Sequence, residues 1–207
     1  MGHFALGYII SKATVKITET KLNIPLVITL SVIPDIDILI PFLEHRGPAH
    51  SIITLFMVFI PIFAIYRKKA IPYFLALIQH PLIGDYITGG RIQLLWPLTT
   101  QYYGMEICIK SQTNITLEWI VFLTSIIIML KAKDTVTLFQ PHKSNLILVI
   151  PTFTVLLPTF LSFPLNVPAW LIPPHLAYIS IFSASIIIDL IKTLKNNSST
   201  HINIMEG

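Results

Sequence analysis

The sequence predicts an all-α, multi-span transmembrane helix bundle with broken helices around a buried polar site, and three observations predict it. Of the 207 residues, 54% are hydrophobic and 12% charged, about half the charged share of a soluble domain, and mean hydropathy is +0.74. The apolar residues form runs that approach the about 20 helical residues needed to cross a hydrocarbon core. Ionisable residues inside those runs gather in the first half, with prolines beside them; such groups are costly in hydrocarbon and mark function. The same composition excludes a disordered chain, and the lone Cys108 excludes an internal disulfide. The net charge of +4 is spread over short connections rather than a basic stripe, so no nucleic-acid partner is expected.

In chain order, residues 3–17 predict a moderately apolar helix interrupted by Lys12 and Lys16. Residues 1–7 contain no Lys or Arg, so no cleavable leader is expected. Six spans are predicted over 24–43, 49–66, 70–88, 115–130, 146–163 and 169–191, followed by a polar, frayed tail over 195–207. The chain divides into a polar-site membrane region, 1–98, and a region of additional transmembrane helices and tail, 99–207. Lys and Arg mark cytoplasmic connections. Lys12, Lys16 and Lys21, then Arg67-Lys68-Lys69, then Lys131, Lys133 and Lys143, then Lys192 and Lys195 fall on alternate sides of successive spans. This pattern predicts a multi-pass protein of the cytoplasmic membrane, with the C-terminus inside and residues 44–48 and 89–114 towards the outside. Pro34 and Pro81 differ from the other prolines because ionisable residues adjoin them. A helix broken at membrane depth survives where protein or a watery cavity satisfies the freed backbone groups.

The chemistry-bearing residues are His3, Asp35, Asp37, His45, Arg46, His50, His80 and Asp85. If 3–17 descends and 22–34 climbs back as a hairpin, the helical rise of about 1.5 Å per residue puts His3, Asp35, His50 and His80 at a similar level, roughly 17–27 Å above the basic turns. Mixed imidazole and carboxylate donors favour a divalent metal such as zinc, manganese or iron. Asp35 and Asp37, two residues apart, share a face if the segment is extended. On a helix they do not, leaving one as ligand and the other as its partner. His45 and His50 flank a Gly47-Pro48 turn that lets both point inward, and Arg46 between them offers a fork for phosphate or carboxylate. His175, beside Pro173-Pro174, reads as a hydrogen-bonded interior residue, and His142 and His201 read as solvated.

At these residues the chain resembles the YdjM-like membrane-bound metal-dependent hydrolases. Their pattern is matched in order by His3, by Pro34-Asp35-Ile36-Asp37, by His45-Arg46-Gly47-Pro48-Ala49-His50-Ser51, and by His80 and Asp85 ahead of Leu94-Leu95-Trp96-Pro97. The resemblance covers about residues 3–97. It implies a metal site and hydrolysis, and a distant similarity to zinc-dependent phospholipases that points to a lipid-like phosphoester substrate. On it, His3, Asp35, His50, His80 and Asp85 are expected metal ligands, with His45 as a further one. Asp37 is expected as a bridging ligand or general base, and Arg46 as the group that steadies developing negative charge. Two departures stand out: Ala49 replaces the usual Thr, and His80 to Asp85 is one residue longer than the common spacing. A regular helix would not put that pair on one face, but a bulge at Pro81 and Gly84 would. The rival readings are a proton- or metal-coupled transporter, and a non-catalytic membrane subunit with a structural metal clasp.

Overall fold

The computed structural model describes residues 1–161 and 167–205, with side chains described through Lys195. The expected end of the fifth span at Phe163, part of the connection 164–168, and the His201 side chain lie outside them. Among the described residues the elements are helical, and β-structure is limited to two isolated bridges, Thr88 with Ile107 and Ile92 with Tyr103.

Helix α1 (Gly2–Thr18) ends at Glu19, which turns the chain in a left-handed conformation at φ 52°. Asn23 then opens α2 (Ile24–Leu30) by accepting the Leu26 N–H, with Pro25 in the first turn, where its missing donor costs nothing. α2 packs on α1, which is the hairpin the apolar pattern predicts. Pro34 disfavours continuation of the α-helix, and the chain proceeds as a 3₁₀ segment, Ile33–Leu39. A second 3₁₀ turn, Pro48–His50, precedes α3 (Ile52–Tyr66). Ser51 caps α3 by accepting from the N–H groups of Ile53 and Thr54. α4 (Ile71–Gln79) runs directly into a π-helical turn, His80–Asp85.

The second half begins with the long α5 (Gln112–Lys131) and the short α6 (Asp134–Leu138). A helical run over Lys143–Leu161 follows, containing the α-helical pieces α7 (Val149–Pro151) and α8 (Leu157–Leu161). α9 (Ile172–Met205) completes the fold, so the backbone of the expected frayed tail continues α9 as far as Met205. Three helical runs among the described residues, Gln112–Lys131, Lys143–Leu161 and Ala169–Lys195, are long and apolar enough to cross a membrane. The three expected spans nearer the N-terminus are shorter helices. α2 has 7 residues, α3 has 15 and α4 has 9, because Pro34, Pro48 and Pro81 each end or distort regular helix.

α1 packs against α2, α4 and α5. Phe4 meets Tyr178 and Phe182 of α9 edge-on at ring separations of 5.6 and 5.5 Å, and Phe122 of α5 meets Tyr178 at 5.4 Å. Edge-to-face aromatic pairs add about 0.5–1.5 kcal/mol each beyond burial. Midway along α1, Asp134 accepts from Tyr8 Oη at 2.7 Å and Lys12 Nζ at 2.6 Å, tying α1 to α6. Buried His175 donates from Nδ1 to the Leu171 carbonyl at 2.7 Å, the interior role predicted for it.

Candidate metal centre

The polar site lies where the first turn of α1, the two 3₁₀ turns and the π-turn meet. Each of these is a departure from straight α-helix except α1, and each departure has a local cause. The 3₁₀ geometry after Pro34 rotates Asp35 and Asp37 apart, so they do not share a face. Asp35 Oδ1 lies 3.5 Å from His50 Nε2 and 3.3 Å from His80 Nε2. Asp37 Oδ2 faces the other nitrogen of the same ring, His50 Nδ1, at 3.1 Å. The two aspartates therefore lie on opposite sides of one imidazole.

The π-turn resolves the long His80-to-Asp85 spacing. Its wider i to i+5 repeat brings His80 Nε2 to 3.3 Å from Asp85 Oδ2, while His50 Nε2 lies 3.2 Å from that same oxygen. Pro81 has no N–H to donate, and Gly84 leaves the space that the His3 ring occupies: a Cβ there would collide with the imidazole. His3 stacks on His80 with ring centroids 3.9 Å apart, and its Nε2 is 3.7 Å from Asp85 Oδ1. His80 Nδ1 donates to the Ser31 carbonyl at 2.8 Å. A carbonyl only accepts, so Nδ1 carries the hydrogen and the Nε2 lone pair points into the cluster.

Four donor atoms, from Asp35, His50, His80 and Asp85, thus lie within 4.8 Å of one another. Four of their separations are between 3.2 and 3.5 Å. A tetrahedral zinc with ligands at about 2.0–2.1 Å requires donor–donor edges of about 3.3 Å, so the arrangement fits a small divalent cation. His50 Nε2, His80 Nε2 and Asp85 Oδ2 are buried and make no hydrogen bond. Buried polar atoms are normally satisfied, and a shared ion satisfies all three at once. His50 and His80 are fully buried.

The remaining predicted residues sit around this quartet. Asp37 is buried on the far side of His50, its Oδ1 3.0 Å from His45 Nδ1 and its Oδ2 accepting from the Arg46 N–H at 3.2 Å. Asp37, His45 and His50 Nδ1 form a second, adjoining group of donors. The Gly47 turn does not bring both histidines inward to the same depth, since the His45 side chain is 43% exposed. Arg46 has a left-handed backbone, φ 66°, which turns its guanidinium over Gly89 and Gly90; a Cβ on either would crowd it. Its Nη2 lies 3.4 Å from Asp85 Oδ1.

Several supporting groups had no recognisable signature. Gln79 donates from its amide to the carbonyls of His3 at 3.2 Å and Ser31 at 3.3 Å, joining α1, α2 and α4 behind the cluster. Glu118 of α5 accepts the Gly2 N–H at 2.8 Å, a carboxylate at the positive end of α1. The loop after the π-turn clamps the His45–Ser51 segment: Gln93 N–H donates to the Arg46 carbonyl at 2.9 Å and Ser51 Oγ to the Trp96 carbonyl at 2.5 Å. Outside the spans, Tyr102 donates to Glu44, whose carboxylate raises the phenol above its ordinary range. Beside the cluster a cleft of about 270 Å³ opens between α1, the π-turn and α5, with His3, Arg46, Asp85 and Glu118 in its lining.

A helical membrane protein with a buried aspartate–histidine centre is the class that fold and site define. The sequence profile of the YdjM inner membrane proteins matches residues 1–166, a stretch containing every residue of the cluster. The chain belongs to the YdjM inner membrane protein family. Neither the curated proteins nor the solved structures contain a match to it.

Proposed function

We propose that the chain is a metal-dependent hydrolase of the cytoplasmic membrane that cleaves a phosphoester, or a related ester, in a lipid-like substrate. One observation carries this reading. Asp35, His50, His80 and Asp85 converge at the separations a shared divalent ion needs, and Asp85 also lines an open cleft that holds a cation, Arg46. Zinc is the ion this donor set favours, with manganese and iron as the alternatives. When bound, such an ion supplies an acidified water and polarises the scissile group.

The chain's own residues do the rest. Asp35, His50, His80 and Asp85 hold the ion. Asp37 and the Ser31 carbonyl fix the two imidazoles from behind, which sets ring orientation and raises ligand basicity. That placement gives Asp37 a positioning role in preference to that of a general base, because His50 stands between it and the quartet. Arg46 binds the anionic group and steadies charge as it develops. His3 lines the cleft beside Asp85, where its imidazole can complete the ligand set or take a proton from a bound group. The site faces the outer side of the membrane, a reading supported by the Lys and Arg residues of the alternate connections.

Stripping the purified protein with a chelator, or changing His50 to Ala, is expected to abolish phosphoesterase turnover of lipid-like substrates, and zinc restores it only in the chelated wild type. Turnover that survives both treatments would falsify the reading. Metal flux into proteoliposomes without hydrolysis favours the transporter instead.

A further inference from the structure

The cleft beside the cluster has two chemically different ends. At one end are His3, Asp85 and the Arg46 guanidinium, which makes one long contact of 3.4 Å to Asp85 and has further donors in its fork of five. At the other are Leu6 of α1 and Leu117 and Val121 of α5, with the Glu118 carboxylate beside them accepting the Gly2 N–H. Leu117 and Val121 stand one turn apart on a helix able to cross the membrane, and Leu117 is 43% exposed. Leu117 therefore belongs both to the lining of the cleft and to the exposed surface of a helix apolar enough to cross a bilayer. At about 270 Å³ the cleft is just below the roughly 300–1,000 Å³ of small-molecule sites. That is room for a headgroup and the start of one chain. A partner helix, about 10–12 Å across, does not fit.

Resting on the hydrolase reading, we infer that this cleft binds a single-chain phosphorylated lipid entering from the bilayer. Its phosphate lies between Arg46 and the Asp/His cluster, and its chain lies along Leu6, Leu117 and Val121. Charge complementarity selects the anionic head: the Arg46 guanidinium, and the divalent ion that the cluster would hold, face it, while the Glu118 carboxylate in the same lining is engaged by the Gly2 N–H. The apolar wall selects the chain, because a water-soluble phosphoester has nothing to bury there, whereas each chain methylene buried adds to binding.

The test is equilibrium binding of dodecyl phosphate and of inorganic phosphate to the zinc-loaded full chain in a neutral detergent. Wild type is expected to prefer dodecyl phosphate. Val121→Trp, which fills the apolar end, is expected to weaken dodecyl phosphate at least about tenfold through lost chain burial while leaving inorganic phosphate and zinc stoichiometry unchanged. Leu117→Ser, a smaller change on the same wall, is expected to act in the same direction. Arg46→Ala is expected to weaken both ligands. Equal affinity of wild type for the two phosphates, no binding of either, or dodecyl phosphate binding untouched by both wall variants overturns the inference. If dodecyl phosphate binds as described and no lipid phosphoester is ever cleaved, the hydrolase reading falls while the binding site stands.

Discussion

His50, His80 and Asp85 each have a neighbour behind them, Asp37, the Ser31 carbonyl and Arg46, and the predictions at the residue scale follow from such pairs. Asp37 lies 3.1 Å from His50 Nδ1, so Asp37→Ala is expected to lower metal affinity by about 10–100-fold, the usual effect of removing such a partner, measured by competition with a chromophoric chelator. Gly84→Ala places a Cβ where the His3 ring now lies. It is expected to weaken metal binding as His3→Ala does, with no further loss in the double variant; full additivity contradicts the packing described. His3, Asp35, His50, His80 and Asp85 were legible in the sequence because a charge or imidazole in an apolar stretch has few structural excuses. Gln79 and the Ser31 carbonyl were not, since an amide and a peptide oxygen carry no sign of where they point.

At the scale of elements, the site is made by interruptions of helix. The π-turn at His80–Asp85 was legible from the pair's spacing together with Pro81 and Gly84. The lengths of α2, α3 and α4 were less so, because hydropathy counts apolar residues straight through a break whose position depends on what the freed backbone finds to bond. Ser51 illustrates the coupling between break and site: it caps α3 one residue after His50 and also donates to the Trp96 carbonyl. Ser51→Ala is expected to cost about 1 kcal/mol through the lost cap alone, and more through the lost loop contact. The readout is a lower midpoint of thermal unfolding in detergent, and an unchanged midpoint contradicts the capping role.

Across the whole molecule, the first half supplies the aspartates and histidines of the cluster and the second half supplies much of the packing that holds α1 in place. Glu118 at the first turn of α1 and Asp134 at its middle anchor it to α5 and α6, links that span more than a hundred residues and leave no local pattern to read. The sidedness proposed from the basic connections can be tested with the chain's single cysteine, Cys108, which is exposed in the loop before α5. A membrane-impermeant maleimide is expected to label it in intact spheroplasts; labelling only after lysis reverses the orientation.

The most direct measurement is the zinc K-edge X-ray absorption spectrum of the zinc-loaded full chain. Four side chains sharing one ion predict nitrogen and oxygen ligands at about 2.0–2.2 Å with the multiple scattering of two imidazoles. A spectrum without imidazole scattering, unchanged in the His50→Ala variant, contradicts it.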